Sequence, residues 1–492
     1  MVFSSAAFLF AFLPLTLAGY YIFPRKFRNL FLTVASLLFY AWGEPKFVFV
    51  MIASILMNYG FGLLVVRRED ERYRSRVLTL MVIANLSLFF VFKYLNFTIE
   101  NLNLIFRGAI PQTHIVLPIG ISFFTFQAMS YVFDVSMGRG KVQKNPLNVM
   151  LYVALFPQLI AGPIVRYETV DEEIRTRREN LTEFVKGLRR FIVGLAKKMI
   201  LSNSVALLAD QVFNAGDLTG LSCAMAWLGV LAYAFQIYFD FSGYSDMAIG
   251  LGLMFGFHFE ENFNYPYISR TVSEFWNRWH ISLSTWFRDY LFYPVSRKAV
   301  PLGKKVKQRW GKAAGRLTPT VIALAVVWLS TGIWHGASWG YILWGVYYGI
   351  LLIGAIIFQP TSKKMVQKLK IDTASPWFAV FQTLRTMFLV LLGYVFFRSN
   401  TMGRATELFG AMFGLTGNAA GDATVLTALR DHGSALVLCA IGSTPVIRWL
   451  HGKFGHLDPY DIVKNGLSLI LLVLSAAYIV SSSYNPFIYF AF

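Results

Sequence analysis

Long apolar runs, separated by short polar stretches rich in Lys and Arg, set the pattern of this 492-residue chain. A helix needs about 20 apolar residues to cross a bilayer. The runs of suitable length predict spans near 4–22, 29–43, 46–66, 77–95, 222–241, 318–336, 339–358, 377–397, 434–450 and 466–484. Ile115–Val135 predicts another, interrupted by Pro118-Ile119-Gly120. Val149–Val165 contains Phe156-Pro157 and Gly162-Pro163 and has bases on both flanks. Non-helical backbone at membrane depth is tolerated where it lines a cavity, so this segment is expected to be re-entrant or broken, with two Pro-kinked spans as the alternative. Region 184–212 mixes bases with apolar residues at helical spacing, and its first half is expected in the interface before the chain crosses. The sum is an all-α polytopic membrane protein of about eleven spans plus one or two re-entrant pieces. One membrane domain is expected over 1–492, with a core at 115–358 and peripheral helices at 1–95 and 377–492. No internal repeat is visible.

Charge orients these spans. The stretch Arg67–Arg76 carries five arginines, and Arg297–Arg316 carries eight bases and no acid, so both are expected to be cytoplasmic loops. Met1–Tyr21 is apolar, and its first bases, Arg25, Lys26 and Arg28, follow it. That order predicts an uncleaved first helix with the N-terminus outside. Composition agrees: 56% of residues are hydrophobic and 14% charged, where a soluble chain has about a quarter charged. A net charge of +19 would suggest nucleic acid, but the bases sit in short loops between apolar segments, so no nucleic-acid partner is expected. Cys223 and Cys439, far apart in apolar surroundings, are expected to be packing residues.

Against this background Ser330-Thr331-Gly332-Ile333-Trp334-His335-Gly336-Ala337-Ser338-Trp339-Gly340 stands out. An ionisable side chain at membrane depth is costly and marks a functional site by default. The imidazole of His335 can take a proton from an attacking hydroxyl and return one to a leaving group. Trp334 and Trp339 are expected to wall that site. A second candidate, His280, lies in Glu274-Phe275-Trp276-Asn277-Arg278-Trp279-His280-Ile281-Ser282-Leu283-Ser284. On a continuous helix Trp276, His280 and Ser284 would share a face, and Arg278 with Asp289 or Arg288 with Glu274 would pair charges. Trp276 and Asn277 are therefore candidate substrate contacts. Asp240-Phe241-Ser242-Gly243-Tyr244-Ser245-Asp246 predicts either a helix break lining a cavity or a capped helix end. Asp240, Ser242 and Tyr244, with Gln236 one turn earlier, join the candidate substrate contacts. His114, His432, His451 and His456 fall in expected loops, and His258 near a turn is expected to be structural. Two histidines with scattered acids do not make a metal site, so none is expected.

Trp334-His335-Gly336, with Phe275-Trp276-Asn277-Arg278-Trp279-His280-Ile281-Ser282 upstream, closely resembles the membrane-bound O-acyltransferase superfamily. Asp240–Ala248, Glu261-Asn262-Phe263-Asn264-Tyr265-Pro266-Tyr267, Phe287-Arg288-Asp289-Tyr290-Leu291 and Phe396-Phe397-Arg398 narrow the resemblance to its bacterial alginate O-acetyltransferase branch. A looser likeness is to the D-alanyl transfer protein of teichoic acid modification. The resemblance implies a helical ring around a funnel and tunnel, in a bacterial inner membrane. It implies that an acyl group, expected to be acetyl from coenzyme A, enters from the cytoplasm, with no tightly bound cofactor. The acceptor would approach from outside, either a partner acetyltransferase or a polysaccharide such as alginate or a cell-wall polymer. His335 matches the family's essential histidine and His280 its second. The chain departs from the family at Tyr293-Pro294-Val295-Ser296-Arg297-Lys298, where relatives have a Gly-rich turn. The rival reading is a transporter or flippase for a lipid-linked saccharide, against which the lack of two similar halves counts.

Overall fold

In lipid every backbone N–H and C=O must be satisfied within the segment that crosses, and a helix does this for an apolar run. The computed structural model describes residues 1–399, 401–455, 458–481, 484–485 and 488, and every regular element among them is helical. Nine helices among them are long and apolar enough to cross a membrane, including Glu71–Phe106, Leu181–Phe213, Cys223–Met254 and Trp339–Lys368. The expected first two spans are the shorter Phe8–Ile22 and the helix Arg25–Gly43. The protein is a multi-pass membrane protein. Its contacts divide it into two units: 1–200 with 240–261 and 462–491, and 201–239 with 262–461.

In the first unit, Phe47–Val65 and Glu71–Phe89 are tied through reciprocal amide bonds between Asn58 and Asn85, each 2.9 Å and fully buried. Asp70 caps the second of these helices by accepting from the backbone of Arg72 and Tyr73, so Arg72, Arg74 and Arg76 are helical and not in a loop. The span expected from Ile115 begins only at Ile121, after Gly120 in a left-handed conformation, and nearly all of Ile121–Ser136 is buried. The 149–165 segment is broken. Pro146–Ala154 is about 14 Å long, under half a bilayer, and the short turn Phe156–Leu159 leads into irregular chain. The Tyr152 hydroxyl donates to the Val165 carbonyl at 2.7 Å and holds the two ends of the break together.

The cluster Asp240–Asp246 corrects the sequence reading. It neither breaks nor caps a helix: Cys223–Met254 runs through it. Its small residues form a seam. A Cβ on Gly194 would lie 2.5 Å from the Gly243 carbonyl oxygen, and one on Gly187 2.5 Å from that of Gly250, with the reverse contacts at 2.7 and 2.5 Å. Two antiparallel backbones thus touch at points seven residues apart, the small-residue packing available to membrane helices. The acids flanking Gly243 complete the joint: Asp240 pairs with Lys198 at 2.7 Å, and Asp246 with Lys197 at 2.6 Å and Arg190 at 2.8 Å. A π-helical turn at Lys197–Ser202 widens the helix where these adjacent lysines meet separate acids. His258 also belongs here, its Nδ1 2.6 Å from Glu173.

In the second unit Tyr293–His335, Trp339–Lys368 and Pro376–Arg398 follow one another through short connections. The expected loop Arg297–Arg316 is helical except at Gly311 (φ 87, ψ 171). The expected span 434–450 is instead Ala423–Gly442, followed after a turn by Val446–Phe454, because Asp422 caps the earlier start. His432 and His451 consequently lie on helices and not in loops, whereas His114 is in irregular chain. His456 lies outside the described residues. Cys439 is buried and Cys223 partly so, and neither is bridged.

Candidate active site

His335 is the last residue of its helix, and Gly336, in extended conformation, turns the chain towards Trp339–Lys368. The two helices come together at Gly332 and Gly345: a Cβ on Gly345 would lie 2.5 Å from the Trp328 carbonyl oxygen and 2.9 Å from the Gly332 Cα. Only this close approach lets the second helix lay Tyr341, Trp344 and Tyr348, which share one face at i, i+3 and i+7, along the first. The imidazole of His335 is 5% exposed. Its ring centroid lies 4.9 Å from Trp334, 4.9 Å from Trp344, 5.1 Å from Phe397 and 6.4 Å from Tyr341. Three helices therefore build one aromatic cradle. Phe397 arrives on Pro376–Arg398, whose Arg398 pairs with Asp210 at 2.8 Å.

His280 reaches the same neighbourhood by a different device. The expected continuous helix does not exist: Val272–Arg278 ends, Trp279 is extended, and His280 is left-handed (φ 46, ψ 54) before Ile281–Phe287 begins. The first helix starts with a Thr-x-x-Glu box, Thr271 accepting from the Glu274 backbone while Glu274 accepts from that of Arg270. Across the break the fully buried Asn262 holds the chain. Its carbonyl accepts from Ile281 N at 3.0 Å, and its Oδ1 accepts from Ser282 N at 3.1 Å and Ser282 Oγ at 2.9 Å. Trp276, His280 and Ser284 thus share no helical face, and the charge pairs are also rearranged. Arg278 pairs with Glu274 and Arg288 with Asp289, each within its own turn of chain. His280 is 2% exposed, and its ring lies 6.0 Å from Trp334, which is itself 4.9 Å from the His335 ring. Both histidines flank one indole.

A second aromatic layer supports the first. Trp276 lies 4.8 Å from Trp328, 4.8 Å from Tyr348 and 5.4 Å from Trp344, so the helix preceding His280 is packed against the cradle of His335. Asn277, on the same helix, is exposed, and Trp339 is 54% exposed at the start of its helix. Gln236 is buried in this unit, and its Oε1 meets no donor among the described residues. The other three candidates belong to the first unit. Asp240 is held by Lys198, buried Ser242 lies beside the glycine seam, and the Tyr244 ring stacks on Phe3 at 4.5 Å. Trp344 and Tyr341 have no place among the sequence candidates, and Phe397 and Asn262 enter there only within stretches of family resemblance, without a role at the site. The 341/344/348 stripe was legible as a helical spacing; the pairing of Asn262 with a turn 20 residues on was not.

The sequence model of MBOAT, the membrane-bound O-acyltransferase family, matches residues 140–397, which include both histidines and every ring of the cradle. The chain belongs to that family. It is 38% identical to the probable alginate O-acetylase AlgI of Pseudomonas putida, over the whole of both chains. It is 42% identical to the protein of that name in Azotobacter vinelandii, over 84% of this chain and 78% of the other. It is 31% identical to the peptidoglycan O-acetyltransferase of Helicobacter pylori, over 100% of this chain and 98% of that one. The protein is thus an O-acyltransferase, and the all-helical membrane architecture expected from its sequence is the one it has.

Proposed function

We propose that His335 is the general base that passes an acetyl group from coenzyme A to a hydroxyl acceptor, with His280 assisting across Trp334. The observation that carries this reading is the enclosure of one imidazole by Trp334, Tyr341, Trp344 and Phe397 in an O-acyltransferase. A base so enclosed is shielded from water, which would otherwise compete with the acceptor for the acyl group. The imidazole takes the acceptor's proton as its oxygen attacks the thioester carbonyl. The C–O bond forms, the C–S bond breaks, and the proton passes to the departing thiolate. Trp334, Trp276 and Gln236 are the candidate contacts retained in this unit, and Tyr341, Trp344 and Phe397 join them.

The donor is taken from the cytoplasmic side, where Arg297–Arg316 and Lys363–Lys370 lie in a bacterial inner membrane with the N-terminus outside. The acceptor is an exopolysaccharide such as alginate, reached directly or through a partner acetyltransferase. Support for the polymer comes from the higher identity to proteins named for alginate than to the one named for peptidoglycan. The test is the O-acetyl content of exported polymer from cells carrying wild type, His335→Ala or His280→Ala at equal membrane abundance. His335→Ala is expected to remove it and His280→Ala to lower it several-fold, as loss of acid–base groups does. Unchanged O-acetyl content with His335→Ala would reject the assignment.

A further inference from the structure

The stretch 297–316 is a folded helical hairpin. A Cβ on Gly303 would lie 2.7 Å from the Gly315 carbonyl oxygen and 3.2 Å from Pro319, and one on Gly315 2.4 Å from Lys307 Cβ. Residues 12 apart on a straight helix are about 18 Å apart, so the chain must reverse between them. It does so at Gly311, whose φ of 87° and ψ of 171° lie outside the range of ordinary residues. Two helical arms are thereby locked glycine against glycine.

The hairpin carries Arg297, Lys298, Lys304, Lys305, Lys307, Arg309, Lys312 and Arg316, with no acid between them. All eight are exposed, and none forms an ion pair with a carboxylate among the described residues. At the tip Trp310 is 70% exposed, with Arg309 above its ring at 5.9 Å, and Val300 and Leu302 are exposed on the same arm. Cations beside an exposed indole and aliphatic groups are the composition of a membrane-interface element. Height supports this. Apolar sequence resumes at Leu317, six residues past Gly311, so the tip rises no more than roughly 9 Å above the hydrocarbon edge. The headgroup layer is about 5–8 Å deep, and charges are felt over a Debye length of about 8 Å.

We propose that this hairpin is a binding site for anionic phospholipid headgroups, with its cations on the phosphates and Trp310 among the headgroups. Orienting the chain requires bases on one side of the membrane but does not require them to be presented on a folded hairpin. The proposal is independent of the catalytic role given to His335.

The test uses the full-length protein in mixed micelles of phosphatidylglycerol and phosphatidylethanolamine in equal amounts, with bound lipid read by native mass spectrometry. Wild type is expected to retain phosphatidylglycerol roughly fivefold or more over phosphatidylethanolamine. The variant Lys304→Gln/Lys305→Gln/Lys307→Gln/Arg309→Gln should fall towards parity. Replacing the three lysines by Arg should preserve the preference. Lys363→Gln/Lys364→Gln/Lys368→Gln/Lys370→Gln, with the same change in net charge elsewhere, should also preserve it. The substituted side chains are all exposed, so melting temperatures should match. Equal lipid preference in wild type and hairpin variant would overturn the proposal, as would equal loss in both quadruple glutamine variants. Displacement of the lipid by millimolar pyrophosphate would reassign the hairpin to a soluble phosphate and also overturn it.

Discussion

Asn262 shows what one buried side chain does in this protein. Through its carbonyl and Oδ1 it satisfies three donors of the turn that begins the helix after His280. Removing the amide would leave the Ser282 N–H buried without an acceptor, at roughly 1–3 kcal/mol. Asn262→Ala is therefore expected to lower the melting temperature and reduce kcat. Ser282→Ala, which keeps both backbone donors satisfied, should do much less. Equal activity of Asn262→Ala and wild type would show that the turn does not position His280. At this scale the sequence was informative where a residue is improbable: a histidine between tryptophan and glycine in an apolar run is conspicuous without any structure. Asn262 was not, because an asparagine near a turn is common and only folding reveals what it holds.

Among elements, hydropathy located the spans well, since their length and apolarity are imposed by the bilayer. It failed where one composition serves two purposes. Gly243 and Ser242 between Asp240 and Asp246 read as a break because small residues and acids end helices in water; here they are a seam in which two backbones touch and lysines neutralise the acids. The seam makes a firm prediction. Gly194→Val, whose Cβ would sit 2.5 Å from a backbone oxygen that cannot move aside, is expected to cost about 3 kcal/mol, the upper end of overpacking, and to lower the yield of folded protein. Gly354→Ala, with no atom within 4 Å of its added Cβ, should leave melting and expression unchanged. Thermal-shift measurements on the two variants compare them directly, and equal stability would dismiss the seam. The hairpin at 297–316 was misread for a related reason. Lys, Arg, Gln and Leu form helices well, but in a basic run between spans charge is read before propensity.

For the molecule as a whole, charge asymmetry predicts which ends of the spans face the cytoplasm. A single cysteine at Arg309, with Cys223 and Cys439 replaced, should react with an impermeant maleimide only once the cytoplasmic face is opened. Labelling in intact spheroplasts would invert the topology. Helix geometry adds a constraint: 24 residues separate Gly311 from His335, roughly 36 Å along the helix. On the function proposed above, a donor bound on the hairpin's side would have to extend deep into the membrane before its thioester met the imidazole. The central claim, that the enclosed imidazole does the transfer, is tested most directly with purified protein in vesicles supplied with labelled acetyl-coenzyme A and a hydroxyl acceptor. The account predicts label on the acceptor and free thiol released in equal amounts with wild type, and neither with His335→Ala of matched melting temperature. Undiminished label and thiol from His335→Ala would contradict it.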